Sequence, residues 1–245
     1  MKCILIGSIS FAAVFFSSLS GCGSGFITLP AWLMLGYPLP VALAGDKVSS
    51  CLWTPVAAKN YLAASSVRWK TLLPMTGIGI LGSMTAAFFV VRVDEAVMRP
   101  VIGAVILLAL LASGLNRGLG IEESPRSSGD GIMRLLAFPF GYYEGFFGAG
   151  NGIFTSYAFA RIKGFSLTTS LGNYYLMAFV WSLCALAVLV TGGFYDIPLF
   201  LSASSGAVAG GYLGSRVGST RGSAFVKKAY LVLGTVLGVK LLLGY

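Results

Sequence analysis

Two unusually long uncharged stretches limit the folds that are open to this chain. Forty-three residues separate Lys2 from Asp46, and 32 separate Lys163 from Asp196, without a single charged side chain. A helix needs about 20 predominantly apolar residues to cross a bilayer. Each stretch is long enough for at least one crossing, so the sequence predicts an all-α polytopic membrane protein.

The overall composition agrees with that prediction. Hydrophobic residues make up 56% of the 245 residues and charged residues only 10%, whereas a soluble domain averages about 25% charged residues. This composition excludes the soluble globular, disordered, collagenous and nucleic-acid-binding classes of protein. The net charge of +9 is explained by Lys and Arg collecting in loops on one side of a membrane. The four cysteines lie in apolar stretches with no paired spacing, so we expect neither a disulfide framework nor a metal site.

Apolar runs interrupted by charges or turn residues predict ten helical segments. They are residues 3–20, 26–36, 41–64, 71–91, 97–115, 132–147, 152–162, 167–190, 197–215 and 225–244. The one long polar stretch, residues 116–131, contains Pro125 and charges of both signs and predicts a linker. We therefore expect a single membrane domain made of a first repeat, residues 1–115, and a second repeat, residues 132–245.

Two glycine clusters, at residues 21–25 and 148–152, indicate that the two halves are duplicated. Positions with the same residue type recur at an offset of 127: Gly21, Gly23, Gly25 and Thr28 match Gly148, Gly150, Gly152 and Thr155. The runs after the clusters, 26–36 and 152–162, extend for only about 16 Å at 1.5 Å per residue, too short to cross. A broken helix at membrane depth must be covered by protein or line a cavity. Internal repeats of this kind place a substrate site between discontinuous helices near the midplane.

The topology depends on whether each broken element crosses the membrane. If it crosses, the repeats are parallel, and the basic residues divide eight against seven between the two faces. If it enters and returns, the repeats are inverted, and eleven basic residues share one face against four. These eleven are Arg68, Lys70, Arg117, Arg126, Arg134, Arg161, Lys163, Arg216, Arg221, Lys227 and Lys228. The positive-inside rule favours the uneven division. We expect inverted repeats, each a broken re-entrant helix pair plus three transmembrane helices, with both termini outside.

Three stretches together resemble the sulfite exporter TauE/SafE family over nearly the whole chain. They read GCGSGFITLPAWLMLGYP from residue 21, GFFGAGNGIFTSYAFARIKGF from residue 145, and AVAGGYLGSRVGS from residue 207. Asp46 and Lys47 stand where that family usually has small uncharged residues. The resemblance implies a transporter of sulfite, organosulfonates or related small anions.

The residues themselves also point to an anion. A helix that begins inside the membrane presents free N–H groups and about half a positive charge at its N-terminus, which suits an anion. Ser24 and Asn151 are suitable either to cap these helices or to contact the ligand; alternatively, the glycines only permit close packing. The predicted substrate-binding residues are Gly21, Cys22, Gly23, Ser24, Gly25, Gly148, Ala149, Gly150, Asn151, Gly152, Lys47 and Asn173.

Charged residues inside predicted spans are costly and are usually functional. Asp46, Lys47 and Glu144 qualify. Either Lys47 adds charge for the anion while Asp46 or Glu144 carries a coupling proton, or these residues form a structural ion pair. Asn173 occupies the position that matches Asp46 in the second repeat and would be its neutral counterpart.

Catalytic and nucleotide-binding signals are absent from the sequence, which has no histidine, no nucleophile elbow and no phosphate-binding loop. We therefore expect no enzyme activity and no cofactor, but a secondary transporter in the inner (plasma) membrane, crossing it several times. Its partners would be a small anion and the lipid bilayer, with no nucleic acid, and a homodimer stays open. The alternatives are a passive anion channel and a transporter of small carboxylates.

Overall fold

The computed structural model describes residues 2–63, 65–90 and 118–243, with positions 104, 107, 108, 110 and 111 between them. Eight helices follow one another in these ranges. They are α1 (Lys2–Ser20), α2 (Gly25–Met34), α3 (Leu39–Leu62), α4 (Trp69–Phe89), α5 (Asp130–Phe146), α6 (Asn151–Ala158), α7 (Leu167–Thr191) and α8 (Ile197–Leu242). A π-helical turn, Phe159–Lys163, extends α6. The predicted all-helical architecture is confirmed for the described residues, and the predicted segment 97–115 lies largely outside them.

Three of the described helices, α1, α4 and α7, are long and apolar enough to cross a membrane. The 24-residue α3 has sufficient length but carries Asp46, Lys47 and Lys59. At 10 residues, α2 is apolar but too short to cross alone. Among the described helices, length and composition therefore support several crossings together with short elements that need cover from protein.

Both glycine clusters break the chain in the same way. The backbone has positive φ at Gly21 and Gly23 in the first half and at Gly148 and Gly150 in the second. L-residues with a Cβ rarely adopt this conformation, whereas glycine adopts it readily. The glycines thus end α1 and α5 and allow α2 and α6 to start in a new direction. We call residues 21–24 the first tip and residues 147–150 the second tip.

Each short helix folds back beside the helix that precedes it. The ammonium group of Lys2, at the start of α1, lies 4.2 Å from the ring centroid of Tyr37, just beyond α2. In the second half, Nζ of Lys163 donates to Asp130 Oδ1 at 2.7 Å and to the Ser128 carbonyl at 3.0 Å. In both halves, therefore, the start of the long helix meets the end of the short segment, and the pair has the shape of a hairpin.

The tightest helix contacts join one half to the other. Helix α1 packs on α8 with Gly206 against Gly7 and Gly210 against Phe11, so these two helices run parallel. Helix α4 packs on α5 in the same way, with Gly79 facing Gly141. Small residues at such crossings let the two backbones touch, which favours helix association in lipid. The first helix of each half is thereby fixed to the fourth helix of the other.

The centre of the molecule is formed by α3 and α7. Gly172, near the start of α7, contacts Tyr61 and Leu62 at the end of α3. At the other end, Gly45 of α3 contacts Leu199, which follows shortly after α7. Helices α3 and α7 therefore run antiparallel. The rings of Trp53 and Tyr175 meet edge to face at 5.1 Å between them.

The last two predicted segments, 197–215 and 225–244, correspond to two helical arms of α8, which meet at a kink. Helix α8 contains a single non-helical residue, Gly222, with φ 76° and ψ 179°. The first arm, residues 197–221, is six residues longer than predicted. The second arm turns back to the core, where the Tyr230 hydroxyl donates to the Ile153 carbonyl at 3.1 Å. A single glycine is sufficient for this bend because it accepts a backbone conformation closed to other residues.

The described part of the polar stretch, residues 118–129, is fastened to both halves. We call it the strap. The Ser124 amide donates to the Gly164 carbonyl at 2.8 Å, and the Leu167 amide donates to the Gly120 carbonyl at 2.7 Å. Glu123 forms an ion pair with Arg68 and accepts from the Thr169 hydroxyl at 2.6 Å. The polar composition of residues 116–131 predicted a linker, and these contacts hold its described part against both halves.

Candidate functional site

The two tips touch each other through their backbones. The Gly150 amide donates to the Cys22 carbonyl at 2.5 Å. A Cβ on Gly23 would lie 2.6 Å from the Gly148 carbonyl oxygen and 2.8 Å from Ala149 Cα. Gly21 approaches Gly152 in the same way, because a Cβ there would lie 3.1 Å from the Gly152 carbonyl carbon. Two segments more than a hundred residues apart in sequence thus meet at one point, with no room for side chains between them.

A small cavity lies beside this contact. The tips contribute Gly23, Ser24 and Gly148 to its walls, and the start of α2 contributes Gly25. The remaining wall residues come from three longer helices: Asp46, Ser50, Trp53 and Thr54 of α3, Glu144 of α5 and Tyr174 of α7. The cavity measures about 10 Å³, room for about one water molecule. The site is closed in this conformation.

Asp46 lies at the N-terminus of α2. Its Oδ1 accepts hydrogen bonds from the Ser24 hydroxyl at 3.0 Å and the Thr28 hydroxyl at 2.8 Å. Ser24 occupies the N-cap position but forms no side-chain cap, because its hydroxyl is used by Asp46. A carboxylate at a helix N-terminus interacts favourably with the helix dipole. The first short helix is therefore already matched with a negative group of the protein itself.

Glu144 has the same relation to α6. Its Oε2 accepts from the Asn151 side-chain amide at 2.7 Å and from the Tyr174 hydroxyl at 2.8 Å. Ser182 contributes a longer contact of 3.5 Å to Oε1. Asn151 is the first residue of α6, Gly150 occupies the N-cap position, and no side chain caps the helix. The second short helix is thus also matched with a buried carboxylate, through a different set of partners.

Lys47 is almost completely buried, with 1% of its surface exposed. Its ammonium group donates to the main-chain carbonyl of Glu144. Within the described ranges it forms no salt bridge with a carboxylate, so the ion pair considered from the sequence is not the contact it makes. A buried cation needs compensating acceptors, and the carbonyl at the end of α5 supplies one. Lys47 also lies beside the second tip, because a Cβ on Gly148 would be 3.3 Å from Nζ.

Asn173 is the one predicted site residue that lies apart from the tips. Its side-chain oxygen accepts from the Arg68 amide at 3.0 Å, and its amide group donates to the Thr169 carbonyl at 2.8 Å. It thereby ties the α3–α4 loop to the start of α7. Its neighbour Tyr174, rather than Asn173, reaches the cavity.

Several residues of the site were not predicted from the sequence, among them Thr28, Trp53 and Tyr174. Thr28 was part of the repeat match, and its hydroxyl binds Asp46. Trp53 lies seven residues after Asp46 on α3, a spacing that puts both on one helix face. The indole Nε1 of Trp53 is buried without a hydrogen-bond partner in the described structure. Tyr174 stands 127 positions after Lys47, so the repeat offset was the signal that could have identified it.

The chain is similar to several membrane proteins. A "Probable membrane transporter protein" of Haemophilus influenzae is 26% identical over 234 residues, covering 95% of this chain and 91% of the relative. "Probable membrane transporter protein YfcA" of Escherichia coli K12 is 26% identical over 254 residues, covering 98% and 90%. "Probable membrane transporter protein ORF9" of a Sinorhizobium species is 25% identical over 234 residues, covering 95% and 89%. No solved structure matches significantly.

The profile of the family described as "Sulfite exporter TauE/SafE" matches residues 6–241. This range includes both tips, the strap and both arms of α8. The family and these relatives are transporters, and the helices described above suit a bilayer. The chain therefore belongs to the sulfite exporter TauE/SafE family and is a membrane transporter, not an enzyme.

Proposed function

We propose that this protein is a secondary transporter of small oxyanions, such as sulfite or organosulfonates, and that it binds them between the two tips. The observation that carries the proposal is the meeting of two helix N-termini at one closed cavity. A helix N-terminus carries about half a positive charge and favours anions. The buried indole N–H of Trp53 and the ammonium group of Lys47 add donors at the same place.

The proposal includes inverted repeats with re-entrant hairpins. Three contacts support it: Lys2 on Tyr37, Lys163 on Asp130, and the antiparallel packing of α3 on α7. Corresponding helices of inverted repeats must run in opposite directions, as α3 and α7 do. Under this topology the strap and the basic face lie in the cytoplasm of a cell whose inner membrane holds the protein. A homodimer stays a prediction.

Two carboxylates already occupy the places where the anion would bind. Asp46 takes the hydroxyls at the start of α2, and Glu144 takes the side-chain amide at the start of α6. A substrate oxyanion therefore has to displace or approach these groups. Two unit charges of the same sign at about 4 Å repel by about 4 kcal/mol at an effective dielectric constant of 20. That is close to a thousandfold loss of affinity, so the anion binds well only when a carboxylate is neutral.

Protonation of Glu144 supplies this neutrality and couples anion binding to proton binding. The groups that face Glu144 are Lys47 and Asp46 of α3, Tyr143 of α5, Asn151 of α6, and Tyr174 and Ser182 of α7. Lys47 is the one cation among them. When Glu144 is protonated and a singly charged anion is bound, the site has the same net charge as when Glu144 is ionised and no anion is bound. Transport of one anion with one proton follows.

The closed cavity supports a carrier over a passive channel. A site of about 10 Å³ is too small for a sulfur oxyanion, so the tips have to separate before substrate enters. A channel needs a continuous opening, whereas backbone contacts between the tips close this one. Small carboxylates use the same donors as sulfur oxyanions, so the substrate assay has to include them.

Counterflow in proteoliposomes tests the proposal. Labelled sulfite, an organosulfonate and a small dicarboxylate are each measured with and without a pH gradient. We expect sulfur oxyanions to be taken up, with acceleration by a proton gradient in the wild type. Glu144→Gln should retain exchange but lose this acceleration, while Glu122→Gln, on the exposed strap, should behave as wild type. If none of the tested anions shows saturable flux, the proposed function is rejected. If a proton gradient still accelerates flux in Glu144→Gln, the proposed coupling is rejected.

A further inference from the structure

A second, larger cavity opens on the basic face, away from the tips. It measures about 590 Å³ and lies between the start of α4, the strap and the hairpin formed by α5 and α6. Four of its lining residues are basic and one is acidic: Arg68, Lys70, Arg126, Lys163 and Asp130. Its size falls in the range of small-molecule sites, and its lining favours a negatively charged ligand.

Three of the four positive groups are held in place by contacts with the surrounding protein. Lys163, with 5% of its side chain exposed, is fixed by Asp130 and by the Ser128 carbonyl. Arg126 donates to the Arg161 carbonyl at 3.2 Å. Arg68, which is ion-paired with Glu123, lies 5.3 Å from the ring centroid of Phe165, and its Nε is buried without a partner in the described structure. The cavity thus offers prearranged positive charge and an unused donor.

Apolar side chains continue from this cavity along the outside of two helices. On α4, Trp69 is 56% exposed and Leu73, one turn further along, is 61% exposed. On the adjacent α5, Ile132 is 55% exposed and Leu135 is 76% exposed. In a membrane protein such exposed apolar surface faces lipid, and Trp is enriched where lipid meets water. The cavity therefore lies at the membrane surface, directly above a lipid-facing surface on α4 and α5.

We propose that this cavity binds the phosphate group of an anionic phospholipid, with its acyl chains along Trp69 and Leu73 of α4 and Leu135 of α5. A small oxyanion alone would occupy only a fraction of 590 Å³, whereas a phospholipid headgroup fills more of it. Basic pockets between transmembrane helices suit such headgroups. The ligand chemistry is a phosphate-type oxyanion, and the adjoining apolar surface identifies the lipid as its source. The proposal does not depend on the substrate site at the tips.

The experiment measures lipid retained by the full-length protein. Purified wild type in detergent is mixed with phosphatidylglycerol or phosphatidylcholine, and bound lipid is counted by native mass spectrometry. Two charges are removed in Lys70→Gln/Arg126→Gln, both at exposed positions. The matched control, Arg216→Gln/Arg221→Gln, removes two charges from the predicted basic face outside the cavity. Each basic residue near an anionic lipid contributes about a fivefold factor in affinity, so the cavity variant should bind phosphatidylglycerol about thirtyfold more weakly than the control.

Two further arms separate the lipid from a free anion. Leu73→Gln should weaken phosphatidylglycerol retention while leaving the charged lining intact. Glycerol phosphate and inorganic sulfate, which lack acyl chains, should fail to compete with phosphatidylglycerol at equal concentration. Equal loss in the control pair, unchanged retention in Leu73→Gln, or full competition by a soluble anion would each overturn the proposal. Anion transport by the cavity variant is measured separately, so loss of lipid binding is distinguishable from loss of the tip site.

Discussion

Replacing Gly23 by alanine tests whether the contact between the tips holds the transport site together. The substitution adds one methyl group at a residue with φ 75°. That methyl carbon would lie 2.6 Å from the Gly148 carbonyl oxygen and 2.8 Å from Ala149 Cα. Gly36→Ala is the matched control, because Gly36 also has positive φ, 84°, but a Cβ there meets nothing within 4 Å.

The expected energies follow from this comparison. Both variants place an L-residue in the left-handed region, which costs about 1–2 kcal/mol. Gly23→Ala also forces a methyl group against the backbone of the other tip, and overpacking of this kind costs about 1–3 kcal/mol. The second cost falls on the closed conformation, because separated tips leave room for the methyl group. We expect it to lower the population of the closed conformation about 5- to 150-fold.

Two assays measure these effects. The apparent melting temperature of Gly23→Ala should lie about 2–12 °C below that of Gly36→Ala, at about 2–4 °C per kcal/mol for a chain of this size. Counterflow of the transported anion should fall at least about fivefold relative to the control, because the closed conformation connects the two open ones. Equal melting temperatures and equal counterflow in the two variants would mean that the tips do not meet in this way.

Three other predictions concern Lys47, the strap and its pH response. Lys47→Met removes the buried ammonium group that donates to the Glu144 carbonyl, so the KM for the anion in proteoliposomes should rise about tenfold, or about 1.4 kcal/mol. A single cysteine at Ser127, with the native cysteines replaced, should resist impermeant thiol reagents added outside whole cells, because the strap is cytoplasmic in the inverted topology. Partial burial opposes ionisation of Glu123, but hydrogen bonds from Thr169 and Arg68 outweigh it and lower its pKa below the usual 4.5. The stabilisation is therefore present above pH 4.5 and is lost as the pH falls through the lowered pKa, so hydrogen-exchange protection factors in the strap should fall there.

The controls for these predictions are specific. Lys59→Met, which removes an exposed lysine from the same helix, should leave the KM unchanged, and a similar rise there would remove the special role of Lys47. Rapid external labelling of the Ser127 cysteine would contradict the inverted topology. Glu123→Gln should show low protection factors in the strap at all pH values, and an acid response as large as that of wild type would assign the effect to another group.

The helical class and the places where helices break could be predicted from the sequence. Long apolar runs form helices in lipid because every backbone polar group must be satisfied within the segment. Glycines recur at an offset of 127 residues, and positive φ recurs at Gly21 with Gly148 and at Gly23 with Gly150. These are local properties, since chain length, hydropathy and the allowed backbone conformations do not depend on distant partners.

Which distant groups meet depends on how the helices pack. Lys47 was considered for an ion pair from the sequence, but its ammonium group contacts the Glu144 carbonyl, because the end of α5 presents that acceptor beside α3. Asn173 matches Asp46 in the repeat but ties a loop instead of lining the cavity. Trp53 lines the cavity because it lies on the same face of α3 as Asp46. Helical spacing limits which residues share a face, but the partner across the face depends on how separate helices pack, and that packing brings together residues more than a hundred positions apart.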